Sequence, residues 1–149
     1  MLIRVVRPLA AATLAMSMTL APALAADVPV GPVQWEPVTK TEKVEVFVDP
    51  ASIHAAGTGL EVTVKQNYAQ PQPAAKKGKS YLSTGNVYRI DCAQRRLGLK
   101  DLRAYDGLDL QGKLVQKATA KDKNMQWLDA PERTVFGEIV DFACRPPGG

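Results

Sequence analysis

The sequence predicts an α+β fold: an antiparallel β-sheet followed by one C-terminal helix, with a disulfide tethering the two. Three observations lead there. Apolar residues alternate with period two in successive runs from Val44 onward, spacings of three and four take over from Val135, and the two cysteines, Cys92 and Cys144, fall one in each kind of segment. The connections between the alternating runs are too short for crossover helices, so neighbouring strands run antiparallel.

Residues 1–26 read as a secretory signal. Arg4 and Arg7 make a basic start, Leu9 to Leu20 an apolar core, and "APALAAD" supplies small residues for cleavage after Ala25 or Ala26. The apolar stretch is interrupted by Thr13, Ser17, Thr19 and Pro22, whereas a membrane span needs about 20 apolar residues. No cysteine follows it to carry a lipid. Losing Arg4 and Arg7 lowers the net charge from +4 to +2, too small a surplus to indicate a partner. Residues 27–34 read as a flexible leader, 35–145 as one domain and 146–149 as a disordered tail; the Pro/Gly-rich "DVPVGP" and "RPPGG" frame the domain.

Within the domain, Trp35 lies near an early strand. "KVEVFVD" sets Val44, Val46 and Val48 against Glu45 and Phe47, and "LEVTVKQNY" sets Leu60, Val62 and Val64 against Glu61, Thr63 and Lys65. Between them "DPASIHAAGTG" carries Asp-Pro and Gly punctuation and reads as a connection with a helical turn at Pro50 to Ile53. A third strand runs from Tyr81 to Cys92, with Leu82, Tyr88, Ile90 and Cys92 facing inward, Arg89 and Asp91 facing away, and a bulge at Gly85. In "RRLGLKDLRAYD" the phase slips from Leu97 and Leu99 to Leu102 and Ala104, predicting a bulge near Lys100. "DGLDLQG" is a turn, "KLVQKAT" a fifth short strand and "MQWLD" a sixth.

Val135, Phe136, Ile139, Val140, Ala143 and Cys144 then form one face of a helix. Asp129 is the expected cap, with Pro131 and Glu132 in the first turn, and Arg145-Pro146-Pro147 ends it. In an oxidising compartment two cysteines in a small domain pair. A Cys92–Cys144 bond would staple the last helical turn to the sheet and add about 4 kcal/mol of stability by the chain-entropy argument.

Catalysis needs a nucleophile with a base, a metal cluster or paired carboxylates in a cleft. One loop histidine, His54, and scattered carboxylates supply none of these, so no enzyme and no cofactor are expected. The G-x-G of "AGTGLEV" precedes a strand and is not a phosphate loop. Charge and patterning likewise give no sign of nucleic-acid binding. Trp35, Trp127, Tyr68, Tyr81, Tyr88 and Phe136 read as core, since aromatics on an alternating sheet face are mostly buried. "AQPQPAAKKGKS" reads as a long proline-broken loop with Lys76, Lys77 and Lys79 at its tip: a solvated loop, or an interaction site for an acidic partner.

The order "W…V…VFVDPASI…VTVKQNY…YLSTGNVYRIDC…LRAYD…MQW…APERTVFGEIVDFAC", from Trp35 to Cys144, resembles the surface-adhesin protein E family of Gram-negative bacteria. The features that carry it are the early Trp, the Asp49, Ser52, Ile53 turn, Ser83 with Asp91-Cys92, the late Trp127, and a closing helix ending in Cys144. The resemblance implies a curved antiparallel sheet of about six strands, its concave face holding the helix through the Cys92–Cys144 bond. It also implies binding of host matrix or plasma proteins such as vitronectin or laminin through a basic segment. That segment matches "AAKKGKSYLSTGNVYRIDCAQRR" here, giving Lys76, Lys77, Lys79, Tyr81, Arg89, Arg95 and Arg96 as candidate protein-binding residues. The expectation is an exported, non-enzymatic, adhesin-like module at the cell surface or in the periplasm. The alternative is a periplasmic structural or envelope-maintenance protein with a bacterial partner.

Overall fold

A computed structural model describes residues 32–146. The signal segment, most of the leader and residues 147–149 lie outside the described residues. Seven strands form one antiparallel sheet: β1 (Glu36–Lys40), β2 (Val44–Ala56), β3 (Gly59–Pro73), β4 (Ser80–Asp91), β5 (Arg96–Tyr105), β6 (Leu114–Thr119) and β7 (Trp127–Asp129). The first six pair in sequence order, β7 pairs with β5, and α1 (Val135–Ala143) closes the chain. The α+β class, the curved sheet of six main strands and the disulfide-linked C-terminal helix are those the sequence predicts.

Period-two alternation places Val46, Val48, Val62, Val64, Tyr88, Ile90 and Leu97 on one sheet face, all buried, where Ile139, Val140 and Ala143 of the helix meet them. An isolated nine-residue helix is marginal in water. Its stability comes from this contact, at roughly 1.5–3 kcal/mol for each large aliphatic side chain buried, and from its caps. The N-cap is Thr134, whose Oγ1 accepts from Gly137 N–H at 3.0 Å. Asp129, the expected cap, instead pairs with Arg96 as the last residue of β7. The intervening Pro131-Glu132-Arg133 turn, with Arg133 at φ +61°, moves the helix start.

The cysteines are bonded, Cys92 to Cys144, with Cα atoms 5.8 Å apart. Cys92 is the first residue of the turn after β4 and is exposed, correcting its expected inward-facing place in the strand; Cys144 caps the helix.

Three further expectations are corrected. Pro50 to Ile53 form no helical turn: β2 runs through them, and the ladder to β3 shifts between Asp49 and His54. Local side chains replace the lost pairing there, since Ser52 Oγ donates to the Asp49 carbonyl at 2.6 Å and accepts from Thr63 N–H at 2.8 Å. Gly85 pairs regularly on both sides, and the bulge in the β4–β5 ladder falls at Lys100, where Val87 faces Asp101 but Tyr88 faces Leu99. The phase slip near Lys100 had placed it correctly. Finally, Ala69 to Pro73 extend β3, so the supposed long loop is a hairpin whose turn covers only residues 74–79.

Candidate functional site

The basic candidates separate into two groups at opposite ends of β4. Lys79 and Arg89 lie ten residues apart along extended chain, roughly 30 Å at strand rise.

At the downstream end every arginine is held by carboxylates. Arg89 bonds Glu61 at 3.0 Å and Asp122 at 3.4 Å, and its side chain is only 14% exposed. Lys100 reaches the same Glu61 oxygen at 2.8 Å. Burial pushes the Glu61 carboxyl up, but the hydrogen bonds and charges of Lys100 and Arg89 bring it below its ordinary value. Arg95 forms a bidentate pair with Asp141 of α1, which holds that carboxyl down and its own guanidinium up. Arg96 bonds Asp91 and lies 4.8 Å from the ring centre of Trp127. Trp127 is exposed, not core.

At the upstream end the picture reverses. Ala74 N–H donates to the Lys79 carbonyl and Lys79 N–H to the Lys76 carbonyl, and Gly78 takes φ +76°, which closes the turn where a side chain would strain it. Lys76, Lys77 and Lys79 are exposed and form no ion pair among the described residues. Tyr81 packs edge-on against Tyr68 with ring centres 5.6 Å apart, stiffening the base of the hairpin. Ala75 N–H donates to Gln116 Oε1 at 2.8 Å, which ties the tip to β6.

Sequence reasoning missed a second built surface on the face opposite the helix. Lys65, on the face of β3 opposite Val62 and Val64, is 7% exposed. Its ammonium bonds Asp109 at 2.7 Å and lies over the rings of Trp35 and Phe47. Asn67 joins both Asp109 Oδ1 and Asp109 N–H, while Ser83 Oγ donates to the Gly107 carbonyl and accepts from Leu110 N–H. These bonds hold the loop after β5 with Asp109 and Leu110 both at positive φ; the hydrogen bonds from Lys65 and Asn67 lower the Asp109 carboxyl. The available signal was a set of polar residues, Lys65, Asn67 and Ser83, recurring at one parity on paired strands. On the helix side a polar cluster of Gln66, Thr84, Asn86 and the Tyr68 and Tyr88 hydroxyls continues the core; burial raises both tyrosines.

A cleft of about 600 Å³ beside the disulfide is lined by Ile53, His54, Leu60 and Pro146 among others. His54 Nδ1 lies 2.8 Å from the Ser52 carbonyl and so carries the proton of that contact. Among the described residues no group of three or more His, Cys, Asp or Glu is placed to hold a metal ion, and no helix is long and apolar enough to cross a membrane.

The family described as Surface-adhesin protein E matches residues 35–145. Two solved structures of Haemophilus influenzae protein E share the fold. One, crystal form II, aligns with TM-score 0.54 at 16% identity over 76% of this chain and 91% of that one. The other gives TM-score 0.52 at 16% identity over 76% and 88%. No curated protein matches the sequence.

Proposed function

Because the chain belongs to the surface-adhesin protein E family, we propose that it is a non-enzymatic, adhesin-like binding module that engages an acidic patch of an extracellular protein through the lysine tip of the β3–β4 hairpin. The observation that carries this reading is the contrast in pairing: Arg89, Arg95 and Arg96 are committed to internal carboxylates, while Lys76, Lys77 and Lys79 are exposed with no such partner among the described residues. Unpaired cations on a rigid hairpin attract an acidic surface and fix its register at little ordering cost. Host matrix or plasma proteins such as vitronectin or laminin are the partner class that family resemblance suggests. A surface or secreted location is consistent with the family, and an N-terminal signal cleaved after Ala25 or Ala26 would supply the export route.

Two measurements test this. Protease treatment of intact cells, compared with cells whose outer membrane is opened, reads location. Degradation on intact cells supports the adhesin, whereas protection until opening moves the partner to the periplasm and favours an envelope-maintenance role. Binding to immobilised vitronectin and laminin is then compared between wild type and the Lys76→Ala, Lys77→Ala, Lys79→Ala variant across salt. Weakening with salt, and loss in the variant, is expected. Salt-insensitive binding that the variant retains removes the tip from the interface.

A further inference from the structure

We infer that the outer edge of β6 receives an extended acidic segment of the partner as an added antiparallel strand, with the hairpin lysines clamping its charge. This rests on the lysine tip being the contact surface proposed above, and it adds which element takes the partner and in what conformation.

The sheet has two outermost strands on its main path, and they differ. β1 contains Pro37, which offers no N–H, and its ladder shifts at Val38, so its outer edge presents a broken row of groups. β6, "LVQKAT", has no proline, and no described strand pairs with its outer edge. The direction of its backbone groups follows from one bond. Ala120 N–H donates to the Lys100 carbonyl at 2.8 Å, so Ala120 and Ala118 point toward β5 and the alternate residues, Lys117 and Thr119, present N–H and C=O outward. Lys117, Ala118 and Thr119 are exposed, as the residues of an uncovered edge should be.

Charge selects the occupant. The bond from Ala75 N–H to Gln116 Oε1 anchors the hairpin tip on this strand, so Lys76 and Lys77 begin one and two residues from it. Lys113 and Lys117 flank the same edge, and neither forms an ion pair among the described residues. A second copy pairing β6 with β6 would set these lysines against one another, and like charges across a strand pair are destabilising. An acidic strand gains both the ladder bonds and the charge complement.

The probes are an octapeptide alternating glutamate and valine, and an equally charged glutamate–proline octapeptide that cannot complete a ladder. Amide hydrogen exchange on wild type should show Lys117 and Thr119 N–H slowed by the first peptide and not the second, with Ala118 unchanged. Thr119→Pro removes one outward donor at an edge position that tolerates proline, and should weaken the glutamate–valine peptide about tenfold, while Thr119→Ala stays within about twofold. Lys117→Pro against Lys117→Ala repeats the comparison if Thr119→Pro unfolds. Equal affinity for both peptides, with no slowed amides, overturns strand addition and leaves the lysine tip as a simple polyanion contact. Undiminished binding by the triple-lysine variant overturns the tip reading itself, and the acidic character of the partner with it. A dimer of the chain alone that Thr119→Pro dissociates gives the edge to a second copy and overturns the acidic partner.

Discussion

Three lysines precede β4 and three arginines lie at or beyond its far end, yet the structure treats the two sets in opposite ways. The arginines are spent inside the fold: Arg89 joins β4 to β3 through Glu61, Arg95 joins the turn after β4 to the helix through Asp141, and Arg96 joins β5 to β4 through Asp91. The lysines make no comparable contact among the described residues and sit exposed on the turn of the β3–β4 hairpin. A run of like charge in sequence is therefore no measure of a binding surface. What decides is whether carboxylates arrive from elsewhere in the chain, and here they arrive at one end only.

The strongest way to break this contrast is at the downstream end. Replacing Cys92 and Cys144 by serine should lower the unfolding free energy by about 4 kcal/mol in denaturant titration, because it reopens a 52-residue loop. A loss below about 1 kcal/mol would mean that core packing and the arginine pairs hold the helix unaided. Arg89→Ala leaves Glu61 with Lys100 alone in a site where the Glu61 side chain is 12% exposed, and should cost about 2–3 kcal/mol; a neutral result would make this pair as dispensable as a surface one.

Acid should act at the same end. Glu61 and Asp141, like Asp109 in the loop after β5, are held below their ordinary values. Their contribution is present above the unfolded-state value near pH 4 and is lost as pH falls through the folded-state values. Melting temperature should be flat near neutrality and fall below about pH 4, with a shallower fall in a Glu61→Gln, Asp141→Asn variant. An equal fall in that variant would assign the acid response elsewhere. Thr134→Ala removes the helix cap and should cost about 1 kcal/mol, measured by the same titration. Smallest of all, the triple-lysine variant should leave the melting temperature within about 2 °C while weakening binding. A large thermal shift would show that the lysines are structural after all.

The strands and the helix were legible because each follows one period, and even the Lys100 bulge showed as a slip between Leu99 and Leu102. The boundaries that failed did so where side chains stand in for backbone. Asp49 and Ser52 look like turn residues, and they do make turn-type bonds, but inside a continuing strand whose ladder Ser52 Oγ completes. Pro71 and Pro73 look like loop punctuation and sit instead in the outer stretch of β3, next to the register shift after Asn67. The site was half legible. Exposure of Lys76, Lys77 and Lys79 could be guessed from composition, but the capture of Arg89 and Arg95 depends on Glu61, Asp122 and Asp141, which lie 28 to 46 residues away and are brought in only by the fold, whereas Arg96 meets Asp91 across the turn that joins their strands. The loop from Asp106 to Lys113 reads as an ordinary turn, because its anchors Lys65, Asn67 and Ser83 sit on other strands.

The disulfide also governs how the molecule would behave under tension. A pull transmitted along the chain from before β1 to after Cys144 crosses from Cys92 to Cys144 through sulfur, a Cα span of 5.8 Å. Strands β5, β6 and β7 and the helix all lie within the bypassed loop, which withholds about 180 Å of extended chain. Force could peel β1 to β4 but could not lengthen the β6 edge or the helix seat, so a partner held at that edge would remain on a covalently closed ring while the rest of the sheet gave way.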